Sequence, residues 1–377
     1  MRIRRVGWLT FRLPFARTFA TAHGPVAVRE GVLLRLTTDD GLAGIGEASP
    51  VRAFGGGTLA DTLRVLAELA PRLVGLGLAE ADALVAKLDV ARPGVAAVAC
   101  ALDTALCDMH ARCADAPIAV LLGGDGGRAV PVNAVVGAPD SIAAAATASR
   151  AVAAGFRCVK LKVGIADSAH AEIARIAAVR EGIGPSIRLR LDANGAWDVA
   201  EAVAVLRAAE RYDLELVEQP VAGGDLAGMA RVRSAVGIPI AADEAVGRLE
   251  QARRVVAAKA ADVLVVKPML AGGLRPAREI IALAQAAGLG VLVTTTIDSG
   301  VGVAAALHLA TTLPGPEGTP TLACGLATGR LLVGDLISRP WRVRDGAMRL
   351  PAGPGLGVTL DEQQLVRYGG TWQEVGS

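Results

Sequence analysis

From about residue 130 onward, the chain repeats one pattern of apolar and polar positions. An apolar, β-branched run is followed by a polar or glycine-rich loop and then by an alanine-rich stretch of helical length. The eight runs are VPVNAVVG, CVKLKVG, IRLRLDANG, LELVEQP, IPIAADEA, ADVLVVKP, LGVLVTTTIDSG and TLACGLATG. Runs this apolar fit parallel strands covered by helices and joined by right-handed crossovers. The pattern therefore predicts eight parallel strands, seven of them followed by a helix.

An open doubly wound sheet and a closed barrel both satisfy this pattern. The open sheet would be expected to carry a glycine-rich phosphate fingerprint after its first strand, and NAVVGAPDS is not one. The eighth run leads into a Pro/Gly-rich tail and not into a long helix. We therefore predict an α/β fold with a (β/α)7β barrel of the TIM type over residues 126–335.

Residues 1–125 show a different pattern, which predicts an α+β capping domain. RIRRVGWLTFRLPF and GVLLRLTTDDGLAGIGEA read as antiparallel strands, and the second is expected to fold back at Asp39-Asp40-Gly41, a hairpin signal. Helices are predicted near residues 58–75, 78–89 and 94–113. The tail, residues 336–377, returns to strand-like alternation. We expect it to pack on the cap, completing that domain, or across the barrel.

Composition narrows the range of partners. The 377 residues include 39 basic and 37 acidic side chains, a formal net charge of +2, which gives no electrostatic reason to expect nucleic acid or an anionic membrane as a partner. No apolar run reaches the roughly 18 residues of a membrane span. The five cysteines form no CxxC pair, which favours a reducing, cytoplasmic setting. A small-molecule substrate is the expected partner, with a homo-oligomer possible.

Ionisable residues stand near the C-terminal ends of the middle strands: Lys162, Asp192, Glu218, Asp243, Lys267 and Asp298. The first three acids are 26 and 25 residues apart, and the next lysine follows 24 residues later. This spacing is the length of one βα unit, so each residue holds an equivalent place on a successive strand. In a barrel these residues would form a ring at the C-terminal face, where barrel active sites lie.

Two lysines of CVKLKVG are expected to face this ring. Successive side chains of a strand point to opposite faces, so Lys160 and Lys162 share one face. Lys267 belongs to strand six, which lies opposite strand two in a barrel of eight. Burial and a nearby cation both lower the pKa of a lysine, so such an amine is suited to act as a base near neutrality.

Three converging carboxylates would repel one another unless a cation lay between them. Oxygen ligands favour Mg²⁺ or Mn²⁺ over zinc, which makes Asp192, Glu218 and Asp243 candidate metal ligands. A metal ion would stabilise the enediolate that forms when a carboxylate substrate loses its α-proton. Asn194 and Glu244 are candidate supporting residues behind the ligands, with Glu244 expected to point away from the ring by alternation.

Other interpretations stay open at this point. Each acid, taken singly, has a plain alternative role as a helix cap or surface charge. Lys160 is equally explained as a structural partner for an acid. The glycines of AGGLRPAREI are typical of a turn before a helix, but they also offer backbone N–H groups to an anion. A metal-free enzyme that binds phosphate there is the corresponding alternative.

The ordered motifs VKLKVG, LDANGAW, VEQP, AADEA and VVKP resemble those of the enolase superfamily, muconate-lactonizing subgroup, over nearly the whole chain. The resemblance implies a Mg²⁺-dependent enzyme that abstracts a proton α to a carboxylate. It implies that Asp192, Glu218 and Asp243 bind the metal. It also implies that Lys162 and Lys267 are the acid/base residues, with Lys160 in support.

A second set of stretches narrows the expected reaction. RTFATAHGPVAVREGVLLRL, GEASPVRAFGGGTL and ACGLATGRLLVGDL resemble the o-succinylbenzoate synthase family, dehydratases of menaquinone biosynthesis. Dipeptide epimerases usually carry Asp-x-Asp at the end of strand eight, where this chain reads GLATGRLL. N-succinylamino acid racemase, dipeptide epimerase and muconate cycloisomerase remain alternatives. Loops around residues 19–23 and 54–57 are expected over the barrel mouth, and the candidate substrate contacts are Phe19, Thr21, Phe54, Thr296, Asp298 and Gly325.

Overall fold

The computed structural model describes residues 1–21, 24–314 and 322–376, and the side chains of residues 17–25 lie outside that description. The strands are β1 (Ile3–Thr21), β2 (Gly24–Thr38), β3 (Ala43–Ala48), β4 (Ala129–Pro131), β5 (Ala134–Val136), β6 (Cys158–Lys162), β7 (Arg188–Asp192), β8 (Leu214–Glu218), β9 (Ile240–Ala242), β10 (Val263–Val266), β11 (Gly290–Val293), β12 (Ala347–Arg349) and β13 (Gln373–Gly376).

The α-helices are α1 (Leu59–Leu73), α2 (Leu78–Val85), α3 (Val95–Cys113), α4 (Ile118–Leu121), α5 (Ser141–Ala153), α6 (Ala169–Ile183), α7 (Val199–Ala209), α8 (Leu226–Ala235), α9 (Leu249–Ala257), α10 (Pro268–Ala271), α11 (Leu274–Ala286), α12 (Gly300–Ala310) and α13 (Glu362–Tyr368). Short 3₁₀ helices cover Arg52–Phe54, Glu210–Tyr212 and Ala327–Leu331. None of the helices in the described ranges is both long enough and apolar enough to cross a membrane.

The N-terminal part forms an antiparallel sheet in the order β13-β1-β2-β3, with α1 to α3 packed on it. The predicted hairpin at residues 39–41 joins β2 to β3 and is confirmed by their pairing from Val32–Ala48 to Thr37–Ala43. The last strand pairs with the first, from Arg5 opposite Gly376 to Trp8 opposite Gln373. The tail therefore completes this sheet, as one of the two predicted arrangements requires.

The remaining strands include those of the predicted barrel, and β4 and β12 pair separately as a two-stranded sheet. Seven of them lie in the order β5-β6-β7-β8-β9-β10-β11, and all six pairings are parallel. The eighth run contributes only two isolated bridges: Cys324 pairs with Val132, and Gly325 with Thr294. These bridges connect the two edges of the sheet. The seven helices α5, α6, α7, α8, α9, α11 and α12 follow the seven strands, so the predicted (β/α)7β barrel is confirmed.

The structure corrects the predicted loop at residues 19–23 and leaves the predicted domain boundaries untested. The segment 19–23, expected to be a loop, is strand as far as Thr21, because β1 and β2 form one long hairpin that pairs up to Thr21 opposite Gly24. The tail also pairs with the segment that precedes the barrel sheet, since β12 pairs with β4. The domain boundaries at residues 125 and 335 stay predictions.

A buried aspartate of the cap occupies the helix N-terminus that the glycines of AGGL precede. Asp103 of α3 accepts hydrogen bonds from the backbone N–H groups of Leu274 (2.6 Å) and Arg275 (3.1 Å) at the start of α11. Gly273 has φ +138°, and a Cβ there would lie 2.4 Å from the Asp103 carboxylate. The anion at this helix end is therefore a side chain of the protein itself.

A second carboxylate of the cap binds the N-terminus of the last barrel helix. Glu47 of β3 accepts hydrogen bonds from the N–H (3.0 Å) and hydroxyl of Ser299 and from the N–H of Gly302 (2.9 Å) at α12. A carboxylate at a helix N-terminus is stabilised by the helix dipole as well as by these hydrogen bonds. Two such contacts fix the cap against the face of the barrel that carries the predicted ring.

His308 is a fully buried imidazole inside α12. Its Nδ1 accepts a hydrogen bond from Ala119 N–H (3.1 Å), and its Nε2 lies 3.2 Å from the Leu356 carbonyl oxygen. Burial lowers the pKa of His308 from its ordinary value to about 4, although the Leu356 carbonyl opposes this shift. The ring is therefore neutral in the folded protein over a pH range in which the unfolded chain takes up a proton.

We expect His308 to lower the free energy of unfolding as the pH decreases from about 6.5 to 4. The unfolded state binds more protons in this window, so acidification favours unfolding, by about 3 kcal/mol once both pKa values are passed. Urea unfolding of the wild type and His308→Gln between about pH 7 and pH 4 measures this effect as the difference between the two slopes. His170→Gln, at an exposed position of α6, serves as the control. Parallel curves for wild type and His308→Gln would contradict the prediction.

Candidate active site

The predicted ring of charged residues lies along one edge of the parallel sheet. Lys162 pairs in register with Asp192, and Asp192 pairs with Glu218, so the ends of β6, β7 and β8 are level. Asp243 follows β9 directly, and Lys267 follows β10 directly. Because the strands all run in one direction, the five residues share the carboxyl-terminal edge, as the 24- to 26-residue spacing predicts.

A cavity of ≈ 800 Å³ opens at this edge, between the barrel and the cap. The barrel wall includes all three predicted lysines and two of the predicted ligands, Asp192 and Asp243. The third, Glu218, does not belong to the lining but contacts Lys160, which does. The cap wall includes residues 50–54 together with side chains of the β1–β2 hairpin. Since side chains from both parts of the chain enclose the cavity, both determine what fits into it.

The two lysines of β6 share one face of the strand, as alternation predicts, and both contact acids of the ring. The Nζ atom of Lys160 lies 2.7 Å from a Glu218 oxygen and 2.9 Å from an Asp192 oxygen. The Nζ atom of Lys162 lies 2.7 Å from the same Asp192 oxygen. Lys160 is nearly fully buried, whereas the Lys162 side chain keeps 19% of its surface exposed. Lys162 is thus the amine of this strand that a ligand in the cavity reaches more readily.

Lys267 stands at the opposite wall. It forms an ion pair with Asp243, and its Nζ lies 4.1 Å from the centre of the Phe54 ring. Phe54 ends the 3₁₀ helix Arg52–Phe54 of the cap, and Gly55 after it has φ +72°, which stops the helix and turns the chain. The cap therefore places the face of the Phe54 ring against Lys267, which follows the sixth strand of the barrel.

A chain of hydrogen bonds connects Lys162 to Glu244. Lys162 Nζ donates to the Asn194 side-chain oxygen (2.6 Å), and Asn194 Nδ2 donates to Glu244 Oε1 (2.8 Å). Asn194 has φ +47°, a left-handed conformation that asparagine tolerates better than most residues. Contrary to the prediction from alternation, Glu244 lines the cavity, because β9 ends at Ala242 and strand alternation no longer applies two residues later.

The pKa values of the acids in the site shift in different directions. Burial opposes ionisation of Asp192, but Lys160 and Lys162 outweigh it and hold the pKa of Asp192 below its usual range. Burial, aided by the neighbouring acids, raises the pKa of Glu218. Burial and the charge of Asp243 raise the pKa of Glu244 to about 7. Lys160 loses solvation on burial, yet the surrounding acids raise its pKa, which favours the protonated form.

The three predicted metal ligands match a divalent cation in their donor chemistry but are not gathered around one point. Within the described ranges, no three His, Cys, Asp or Glu side chains form a group already placed to hold a metal ion. Each predicted ligand contacts a lysine instead. The donor chemistry fits, since three buried carboxylates at neighbouring strand ends offer only hard oxygen atoms. The assignment of Asp192, Glu218 and Asp243 to a metal stays a prediction.

The predicted substrate contacts are placed in different surroundings. Phe54 and Thr296 line the cavity. The buried carboxylate of Asp298 accepts a hydrogen bond from Thr296 and lies outside the lining. Gly325 lines a smaller neighbouring cavity. Phe19 and Thr21 belong to β1, but their side chains lie outside the described part of the structure.

Sequence reasoning missed two polar residues that shape the site. Buried Arg29 of β2 donates to the backbone oxygens of Ser49 and Ile297 and to Thr296 Oγ1, so it joins the cap wall to the barrel wall. Gln219, next to a predicted ligand, accepts hydrogen bonds from the N–H groups of Asp243 (3.1 Å) and Ala245 (3.2 Å). A polar glutamine at the end of the strand run LELVEQP was the available signal for Gln219. The partners of Arg29 are too distant in sequence to be inferred.

We expect Phe54→Leu to reduce activity by removing the ring from Lys267. A cation–π contact contributes about 0.5–2 kcal/mol, so kcat/KM should fall by about 2- to 30-fold. Phe54→Tyr keeps the ring and should stay close to wild type. Steady-state kinetics of both variants on one substrate measures the effect. Equal kcat/KM for Phe54→Leu and the wild type would show that the ring contributes nothing to turnover.

Two family models match the chain. The model described as "Mandelate racemase / muconate lactonizing enzyme, N-terminal domain" matches residues 6–123. The model described as "Enolase C-terminal domain-like" matches residues 143–364. Together the two matches include the cap helices, every barrel strand from β6 to β11 and all the predicted lysines and ligands.

Individual relatives differ in the reactions that their names state. The chain is 36% identical to the L-Ala-D/L-Glu epimerase of Bacillus subtilis (strain 168) over 318 residues, 82% of this chain and 85% of that protein. It is 41% identical to the o-succinylbenzoate synthase of Thermobifida fusca (strain YX) over 239 residues, 63% of this chain and 69% of that protein. The crystal structure of an N-succinyl Arg/Lys racemase from Bacillus cereus ATCC 14579 matches with a TM-score of 0.91 at 26% identity, covering 100% of both chains.

Proposed function

Because the chain belongs to the enolase superfamily, in its muconate-lactonizing subgroup, we propose that it abstracts a proton α to a substrate carboxylate. More specifically, we propose syn-dehydration of 2-succinyl-6-hydroxy-2,4-cyclohexadiene-1-carboxylate to o-succinylbenzoate. Two amines on opposite walls, with three buried carboxylates on the strands between them, support the first statement. The composition of the wall near strand eight supports the second.

The proposed cofactor is Mg²⁺ (or Mn²⁺), held by Asp192, Glu218 and Asp243. When bound, it supplies positive charge beside the substrate carboxylate, where negative charge develops as the α-proton leaves. The protein's own residues neutralise the rest of the site. Lys160 keeps its charge beside Asp192 and Glu218, so it holds these carboxylates in place and takes no part in proton transfer.

Lys162 is the proposed base and acid. Its amine, when unprotonated, takes the α-proton, and the electron pair of the C–H bond moves toward the carboxylate. As the C–O bond to the ring hydroxyl breaks, a ring double bond forms, and the leaving hydroxide takes the proton back from Lys162 to become water. A single amine serves both steps because syn elimination keeps the proton and the hydroxyl on one face of the ring. Asn194 orients this amine through its 2.6 Å hydrogen bond.

Lys267 has a different part in this reaction. It lies on the opposite wall, paired with Asp243 and covered by the Phe54 ring. Syn elimination needs no proton transfer on that face, so Lys267 serves as positive charge against the developing anion. Because the amine of Lys267 is buried, its charge acts more strongly on the developing anion than the same charge would in water.

The observation that favours the dehydratase over a dipeptide epimerase is the lack of a carboxylate among the described residues of one wall. The cavity's lining residues from the seventh strand onward are residues 294–297, Thr328 and Leu331, none of them acidic. A dipeptide carries a free ammonium group, which would lose its hydration there without gaining a partner. A substrate that carries a ring and an anionic arm has no such group.

Racemisation of an N-succinylamino acid is the second candidate. Racemisation needs one amine on each face of the substrate, and Lys162 and Lys267 supply this arrangement on β6 and after β10. An N-succinylamino acid carries no free ammonium, so the acid-free wall does not exclude it. The match to the N-succinyl Arg/Lys racemase structure covers the whole chain and supports this candidate as well.

A substrate panel separates these candidates. We expect kcat/KM for the cyclohexadiene acid to exceed that for dipeptides by about 10²-fold or more, because the ammonium group of a dipeptide finds no acidic partner among the described residues of this wall. Muconate belongs in the panel because it tests the cycloisomerase alternative. Incubation with N-succinylamino acids in D₂O, followed by mass spectrometry and chiral chromatography, measures exchange and racemisation in parallel. Efficient racemisation without any dehydration of the cyclohexadiene acid would refute the dehydratase proposal and establish the second candidate.

A further inference from the structure

A second cavity, of ≈ 300 Å³, adjoins the first. We call it the side pocket. One wall is formed by α5, through Thr147, Arg150 and Ala151, and the other by the 3₁₀ helix Ala327–Leu331 that follows strand eight. Phe156 also belongs to the lining. No part of the proposed mechanism uses this cavity.

The side pocket follows from the incomplete last βα unit of the barrel. Each of the seven parallel strands is followed by a full helix, whereas the eighth run leads into a 3₁₀ helix of five residues. A short helix covers less surface than the 9- to 15-residue helices of the other units. The gap between α5 and the 3₁₀ helix is therefore left open beside β5.

Two arginines give the side pocket a positive charge. The lining residues that the structure describes include Arg150 and Arg330 but no Asp or Glu. Neither guanidinium forms a salt bridge with a carboxylate in the described ranges, whereas many of the protein's other arginines do. Arg150 donates a hydrogen bond to Thr147 (2.9 Å), and Arg330 lies 5.4 Å from the centre of the Phe156 ring. These contacts leave most of the N–H donors of both arginines available to an anion.

The side pocket borders the active-site cavity. Val135, Thr328 and Leu331 line both. Val135 pairs in register with Lys160, so the shared wall lies next to the ring of charged residues. The two cavities therefore meet at these three residues.

We infer that the side pocket binds the distal carboxylate of the substrate, an inference that rests on the proposed function. The chemistry of recognition is that of an arginine pair with a carboxylate, in which planar N–H groups donate to two oxygens. The cyclohexadiene acid and the N-succinylamino acids both carry such a carboxylate at the end of a succinyl arm. The two arginines would thus select substrates by their arm and leave the reacting carboxylate to the main cavity.

Binding of product-like ligands tests this inference without requiring turnover. Isothermal titration calorimetry compares o-succinylbenzoate with 2-butanoylbenzoate, in which a methyl group replaces the distal carboxylate. We expect the wild type to bind o-succinylbenzoate about tenfold or more tightly than the analogue. In the double variant Arg150→Gln/Arg330→Gln the two affinities should become nearly equal, with that of the analogue unchanged. Arg231→Gln, on the exposed face of α8, is the matched control and should preserve the wild-type ratio.

Each outcome decides one of the two proposals. A wild-type ratio near one, or a ratio that survives the double substitution, would overturn the side-pocket inference and leave the dehydratase proposal intact. An arginine-dependent ratio in a protein that never dehydrates the cyclohexadiene acid would overturn only the dehydratase proposal. Binding of neither ligand would overturn the inference too. If inorganic phosphate alone binds in an arginine-dependent way and o-succinylbenzoate does not displace it, the pocket serves a free anion and the assignment to the substrate arm is wrong.

Discussion

Lys162→Ala is expected to lower kcat for dehydration by about 10²- to 10⁴-fold, the usual contribution of a positioned general acid and base. The side chain is the more exposed of the two lysines on β6, and Asn194 holds its amine at 2.6 Å. Lys160, the other amine of that strand, is nearly fully buried beside Asp192 and Glu218, so it is not placed to replace the lost amine. Rapid-quench or steady-state kinetics on the cyclohexadiene acid measures the loss.

The substitutions at Lys267 separate charge from proton transfer. Lys267→Ala removes a buried cation and should also be severely impaired. Lys267→Arg keeps the charge but cannot deprotonate, so it should retain more dehydration than racemisation, provided that the larger head group is accommodated. Lys87→Ala, at an exposed position of the cap, is the control. Wild-type kcat in Lys162→Ala, or equal losses of both reactions in Lys267→Arg, would contradict the assigned roles.

Replacement of each predicted metal ligand is expected to abolish both Mg²⁺ binding and turnover. Asp192→Ala, Glu218→Ala and Asp243→Ala each remove one of three oxygen donors from neighbouring strands. Asp192→Ala and Asp243→Ala also take the paired acid from Lys162 and Lys267. Glu218→Ala leaves Lys160 paired with Asp192. An unpaired buried lysine costs about 3–5 kcal/mol of stability, so circular dichroism must first show that each variant is folded. Calorimetric titration with Mg²⁺ then measures binding independently of activity.

An exposed acid distant from the ring provides the control for this series. Glu201→Gln, on the surface of α7, removes one negative charge from the protein and should leave Mg²⁺ affinity unchanged. Unchanged Mg²⁺ affinity in all three ligand variants would exclude the metal assignment. Loss of turnover with Mg²⁺ affinity retained would instead assign these acids to the neutralisation of the lysines.

The sequence sufficed to predict the barrel and the position of the charged residues at its carboxyl-terminal edge, because both depend on local periodicity. Alternation places Lys160 and Lys162 on one face of β6, and both line the cavity. A constant βα-unit length places Asp192 and Glu218 side by side on neighbouring parallel strands. Neither conclusion requires knowledge of residues distant along the chain.

Features that depend on distant contacts or on strand ends were not predictable in this way. Asp103 reads as one polar position of a helix, yet it caps α11 across 171 residues of sequence. Glu244 lines the cavity because its strand stops two residues earlier, and an alternation pattern does not reveal where pairing ends. Arg150 and Arg330 lie about half the chain apart, yet they line one pocket beside the incomplete last βα unit.

The pairing of β1 with β13 has a consequence for biosynthesis. The ribosome delivers β13 after β1, β2, β3 and the whole barrel, so the sheet of the cap lacks one strand until β13 has been made. Until then, the backbone of residues 5–8 forms an open strand edge, which other chains can pair with. Arg4 and Arg5 place positive charge at this edge, and charged side chains oppose such association. Translational pausing or truncation near residue 370 would therefore leave a chain with a complete barrel sequence and an aggregation-prone cap.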